Sequence, residues 1–281
     1  MRKEQRSAPG IQGGFTLVEM VVVIAITGIL AAVVAVFITR PVQGYVDTAA
    51  RADLADAADT ALRRMTRDLR LALPNSIRVD GTGHYIELLL TSTGGRYLSE
   101  EDNPSSGNIL DYSNPANAIF DVVGAGLPAA GDSVVVYNLG PGMAPADAYC
   151  SGSACNNRAT VANVSGNTVT LTSNPFALEN PSLPSPSHRF QVVSTPVTYG
   201  CTGGQLVRYW NYAISPTQPA PPSGGSSALL ATGVTGCSFS YSNMANLRSG
   251  LAGLGLTLTN PNNADAGSVT LFDQIHVDNT P

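Results

Sequence analysis

The hydrophobic pattern of this chain changes character twice. From Phe15 to Ile38 apolar residues fill nearly every position, FTLVEMVVVIAITGILAAVVAVFI, with one charge among them, Glu19. A helix over these 24 residues is about 36 Å long and apolar all round, enough to cross a hydrocarbon core of about 30 Å. From Val42 to Leu73 the pattern becomes a stripe. Leu54, Ala58, Leu62, Met65, Leu69 and Leu73 recur at spacings of three and four, which predicts one buried face of an amphipathic helix. Asp47, Asp53, Asp56 and Asp59 come early in it and Arg63, Arg64, Arg67 and Arg70 late, an order that suits the helix dipole. Asp59–Arg63 and Arg64–Asp68 stand four apart and should pair weakly. Pro74 and Asn75 end the pattern. The expected spine is a helix of about 55–60 residues with its first half in the membrane and room for a kink at Pro41.

Beyond Asn75 the helical period disappears. Short β-branched or alternating runs take over, at His84–Thr91, Ser133–Asn138, Thr168–Ser173, Arg189–Tyr199, Gln205–Ala213, Cys237–Ser242, Leu251–Thr259 and Ser268–Val277. Turn residues separate them, including Gly94-Gly95, Ser165-Gly166-Asn167 and Gly203-Gly204, the last reading as a hairpin turn. Ser99–Asn117, Asn174–Ser187 and Pro216–Gly225 read as long loops. The fold class is therefore α+β, a long N-terminal helix on a mostly antiparallel β domain. The expected segments are 1–14, 15–38, 39–74 and 75–281: a leader, a membrane helix, an amphipathic helix and a β-rich body.

Composition sharpens this picture. Of 281 residues only 12% are charged, while 28 are Gly and 19 are Pro, which excludes a helical bundle and suits a loop-rich β body. Net charge is −5; the first fourteen residues carry +2, leaving −7 on a remainder without a single lysine. Such a body is a poor phosphate binder, so no nucleic-acid partner is expected. A cleaved secretory signal has a shorter apolar core and a small-residue cleavage site, whereas here Arg40 and Pro41 close the run. The basic leader should stay cytoplasmic and the body should be translocated.

Glu19 is the anomaly of the apolar run. A carboxylate at membrane depth costs about 2.5–3.5 kcal/mol on insertion scales, which makes it a functional candidate in need of a cation. The alternative is a carboxylate near enough to the membrane edge to snorkel. The local cation would be an α-amino group created by cutting before Phe15.

Gly13-Gly14-Phe15-Thr16-Leu17-Val18-Glu19-Met20 resembles the processing site of type IV prepilins and type II secretion pseudopilins. The resemblance implies that prepilin peptidase of the inner membrane cuts after Gly14 and methylates Phe15, and that Glu19 guides docking onto other major and minor subunits. It also implies a pilin-like roll and a non-catalytic subunit whose body faces the periplasm before assembly. The proline that many major pilins carry inside the run is absent, the first being Pro41. The overall length, the segments LRLALPNSIRV and Arg208-Tyr-Trp-Asn-Tyr212, and the tail from Gln274 to Pro281 are similar to the biogenesis proteins of mannose-sensitive haemagglutinin pili. Alternatives are a J-type minor pseudopilin of type II secretion and a single-pass anchor bearing a binding or adhesive domain.

The four cysteines, Cys150, Cys155, Cys201 and Cys237, lie beyond the apolar run and read as disulfides in an exported body. Three connectivities are possible; the spacing favours Cys150–Cys155 with Cys201–Cys237. No C-x2-C spacing occurs and no histidine is near either pair in sequence, so no metal and no cofactor are expected. His84, His188 and His276 are scattered and belong to no hydrolase motif. Glu100, Glu101 and Asp102, or Asn262, Asn263 and Asp265, could offer oxygen ligands to calcium, but neither follows an EF-hand loop and both suit solvated loops. Tyr209, Trp210 and Tyr212 fit sheet packing better than a partner patch.

Overall fold

The computed structural model describes residues 14–243, 248–260 and 267–281. The chain divides into two units, the first ending at Ala50 and the second covering Arg51–Pro281. One helix, α1 (Leu17–Arg70), supplies the first unit and the start of the second, and runs on through Pro41.

In the first unit no described side chain of α1 is buried, and Val18, Ile24, Ile29, Phe37 and Ile38 are among its large exposed apolar residues. Among the described residues this is the one helix long and apolar enough to cross a membrane.

In the second unit the apolar stripe of α1 is buried. Ala58, Ala61, Leu62, Met65 and Leu69 all pack into one core. The helix stops at Arg70, so Leu73, the last member of the stripe, lies beyond it. Pro74 disfavours helical backbone at Leu73, and the Leu73 amide instead donates to the Leu89 carbonyl at 2.8 Å. Leu73 thereby joins a separate cluster with Leu89, Val135, Tyr149 and Val193.

Among the described residues twelve strands follow: β1 (Arg78–Val79), β2 (Tyr85–Tyr97), β3 (Ile119–Val123), β4 (Ser133–Val135), β5 (Arg158–Ser165), β6 (Thr168–Leu171), β7 (Arg189–Thr202), β8 (Gln205–Trp210), β9 (Ser226–Thr232), β10 (Val234–Asn243), β11 (Ser249–Thr259) and β12 (Ser268–Asp278). Every pairing among them is antiparallel. Strands β1, β3, β5 and β9 were not expected from the hydrophobic pattern. In β3 a carboxylate, Asp121, interrupts the apolar run; the Asn108 amide and the Thr168 hydroxyl donate to it at 2.9 and 2.6 Å. In β5 the sequence RATVANVS is half polar.

The first nine strands run in the order β1-β2-β3-β6-β5-β4-β7-β8-β9, and β2 also pairs with β7. The circuit β2-β3-β6-β5-β4-β7 therefore closes into a six-stranded ring, which removes sheet edges. Its core contains Tyr97, Phe120, Val134, Val161, Val169, Phe176, Phe190 and Val192. Register shifts at Leu90–Thr93 divide β2 between the two cores. Residues before the shift, Ile86 and Leu88, lie under α1, and Tyr97 after it lies in the ring. A second sheet, β10-β11-β12, covers the other side of the α1 core with Phe239, Leu254, Leu256, Leu258, Ile275 and Val277. Gly203 and Gly204 turn β7 into β8 with φ of 56° and 73°, a two-residue turn with both φ positive, which glycine takes without strain.

Candidate functional site

Residues 14–16 precede the helix, and Gly14 and Phe15 are exposed. A Cβ placed on Gly14 would meet nothing within 4 Å, and its backbone is outside the left-handed region. Among the described residues, nothing in the packing therefore requires glycine there.

Thr16 caps the helix. Its Oγ1 accepts from the Glu19 amide at 3.2 Å, and its carbonyl accepts from the Met20 amide at 3.2 Å. Glu19 is thus the third residue of α1, in the first turn, where a carboxylate complements the helix dipole. Thr16 was not among the residues singled out from sequence. Its signal was present in the Thr-x-x-Glu spacing just before an apolar run, half of a capping box. Glu19 is exposed and forms no ion pair among the described residues. Gly13 and the rest of residues 1–13 lie outside the described residues.

Residues 11–35 match the prokaryotic N-terminal methylation motif. The matched stretch holds Gly14, Phe15, Thr16 and Glu19 together with most of the apolar run. This motif points to a type IV pilin or pseudopilin processed by prepilin peptidase, and together with α1 it fits a single-pass membrane-anchored protein. No curated protein and no solved structure matches the chain.

The other candidates are spread over the body. Cys150 is bonded to Cys155 and Cys201 to Cys237. The second bond joins β7 to β10 and so ties the two sheets together. His84, remote in sequence from both cysteines, lines the same small cleft as this bond. His276 is exposed on β12.

His188, at φ 53°, lines a cavity of about 270 Å³ with Tyr97, Ser99, Glu101, Asp111 and Tyr112. Its Nε2 is 3.3 Å from Glu101 and its Nδ1 is 3.3 Å from both the Arg96 guanidinium and the Ser99 hydroxyl. Asp102 is committed to Arg96, whose hydrogen bond, with that of the Ser99 amide, holds its carboxyl at about 2. Glu179, almost fully buried nearby in sequence, is shifted the other way, to about 7, because burial disfavours its charged form. Among the described residues no group of three or more His, Cys, Asp or Glu side chains could hold a metal. Asn262, Asn263 and Asp265 lie outside the described residues.

Of the Arg208–Tyr212 run, Arg208, Tyr209 and Trp210 lie in β8, which ends there; Asn211 is exposed and Tyr212 lies beyond the strand. Arg208 stacks over Trp210 at 4.9 Å, and Tyr212 donates to Glu87 at 2.9 Å.

Proposed function

We propose that this chain is a non-catalytic minor pilin or pseudopilin. Prepilin peptidase cuts it between Gly14 and Phe15 and methylates the new terminus. The mature chain stays in the inner membrane through residues 15–38, with residues 75–281 in the periplasm, until it enters or primes a filament with other major and minor subunits. Glu19 docks it, by meeting the α-amino group of a neighbouring subunit inside the helical core. A pair of this kind is favourable only when both charges are buried together. Disulfides at Cys150–Cys155 and Cys201–Cys237 suit an oxidising compartment.

The observation that carries this reading is the methylation motif at residues 11–35 at the opening of a 54-residue helix. The likeness of LRLALPNSIRV, Arg208–Tyr212 and Gln274–Pro281 to the biogenesis proteins of mannose-sensitive haemagglutinin pili supports a filament of that kind as the reading we favour. Intact-mass measurement of the membrane form tests processing: residues 1–14 should be missing and Phe15 should carry one methyl group. An intact N-terminus in cells that contain the peptidase overturns the reading and leaves a plain anchored domain. Neighbouring genes test the system: a pilus ATPase and a major pilin support it, whereas a secretin with secreted hydrolases points to type II secretion.

A further inference from the structure

The cavity of about 270 Å³ beside His188 is acidic as well as aromatic. Glu100, Glu101 and Asp111 line it, and among the described residues no lysine or arginine does. Glu100 is exposed and forms no ion pair among the described residues. Asp111 accepts from neutral donors: the amide and hydroxyl of Ser113 and the Asn114 amide at 2.8, 2.7 and 3.0 Å, and Asn117 at 3.4 Å. The Ser113 hydroxyl above all holds its carboxyl below the usual range, so it stays charged without being neutralised. The imidazole does not offset these charges either. A guanidinium only donates, so His188 Nδ1 accepts from Arg96 at 3.3 Å, and the ring proton sits on Nε2, 3.3 Å from Glu101. Arg96 itself is paired with Asp102.

The rest of the wall is ring and hydrocarbon. The Tyr97 and Tyr112 rings lie 6.2 Å apart, with the Tyr112 hydroxyl donating to that of Tyr97 at 3.2 Å, and Tyr97 meets His188 edge to face at 5.6 Å. Leu110, buried, and Ile109, half-buried, add apolar surface. His188 is pinned at φ 53°, uncommon for a residue other than glycine, by bonds at both ends of its backbone. Its amide donates to the Ser185 carbonyl at 2.9 Å, and its carbonyl accepts from the Tyr97 amide at 2.8 Å. Backbone held in this region collects at ligand sites.

We propose that this cavity binds a primary ammonium group carried on a short apolar stem. The carboxylates and the Ser113 hydroxyl accept the ammonium protons, the tyrosine rings add cation–π attraction, and Ile109 and Leu110 hold the stem. An anion would meet uncompensated carboxylates, and a quaternary ammonium would bring no proton to donate. The chain from residue 15 onward contains no lysine, so the group comes from elsewhere, as a free amine or as a lysine side chain of another polypeptide. Glu100 and Glu101 are exposed, so salt weakens the site. The cavity belongs to the body, and the proposal is independent of how the N-terminus is processed or anchored.

Calorimetric titration of the full-length chain in neutral detergent micelles tests this with probes of one stem length. Pentylamine should bind, pentyltrimethylammonium about tenfold more weakly for want of charge-assisted hydrogen bonds, and pentanol and pentanoate not measurably. Glu100→Gln with Glu101→Gln should weaken pentylamine binding about tenfold, again through those bonds, while Tyr112→Phe, which keeps the ring, should leave it unchanged. Unchanged thermal unfolding of the variants serves as the folding control, and the probe series needs no variant. Pentanol or pentanoate binding as tightly as pentylamine, a preference for the quaternary probe, or indifference to the glutamate substitutions overturns the proposal. Nα-acetyl-lysine methylamide separates the two sources, and either order upholds the ammonium site. Tighter binding than pentylamine assigns a lysine side chain of a polypeptide, and weaker binding a free amine.

Discussion

Asp68 of α1 and Arg208 of β8 form a buried ion pair across 140 residues of chain, with Arg208 Nη2 2.8 Å and Nε 2.9 Å from Asp68 Oδ2. Tyr199 of β7 donates its hydroxyl to the same oxygen at 2.7 Å. The charge that looked like a weak partner for Arg64 is therefore spent on fastening the helix to the sheet. Arg208→Ala should destabilise the body by about 3–5 kcal/mol, because it strands a buried carboxylate. Replacing both partners by apolar residues, Asp68→Leu with Arg208→Met, should recover most of that loss. Urea unfolding of the wild type, the single variant and the double variant measures both changes.

Stability should depend on pH through Glu179. Its folded-state pKa of about 7 lies above the ordinary carboxylate range, so the folded state holds a proton that the unfolded state has lost. Stability should fall as pH rises from about 4.5 to about 7 and then level off, an excursion on the order of 3 kcal/mol. Glu179→Gln should flatten that part of the profile. Denaturation midpoints of both proteins between pH 4 and 8 provide the check; parallel profiles would contradict it.

The two disulfides should differ in worth. In the chain-entropy account the bond between Cys201 and Cys237, 36 residues apart, contributes about 4 kcal/mol, and the one between Cys150 and Cys155, 5 apart, about 2 kcal/mol. Replacing each pair by serine and comparing unfolding free energies tests the order. The longer loop should also matter more because its bond joins the two sheets.

Glu19→Val should leave the start of the helix intact, since the cap at Thr16 uses the Glu19 amide and not its side chain. Membrane insertion and cutting before Phe15 should survive as well, the insertion cost having been removed. Co-purification with other subunits should fail. Thr16→Ala should do the reverse, loosening the first turn by about 1 kcal/mol with assembly retained. Amide exchange in micelles reads the first effect and co-purification the second.

Gly14→Ala should still be cut, while Gly14→Leu should not, although a Cβ at position 14 meets nothing within 4 Å among the described residues. Blocked processing of Gly14→Leu with a normally folded body would place the requirement in the peptidase; normal processing would remove it.

What the sequence settled by itself was local. The apolar run, the stripe of α1 and the Gly203-Gly204 turn each depend on residues within a few positions of one another. Periodicity and positive φ act at that range. Tertiary structure decided the rest. Ring closure through β2 and β7 depends on strands such as β3, whose Asp121 finds its partners only once distant segments have paired, and β5, whose polar residues stay at the surface and leave Ala159 and Val161 to be buried. Asp68 meets Arg208, and His84 meets the Cys201–Cys237 bond, for the same reason: a sheet brings together residues by packing and register, which a strand's own composition specifies weakly.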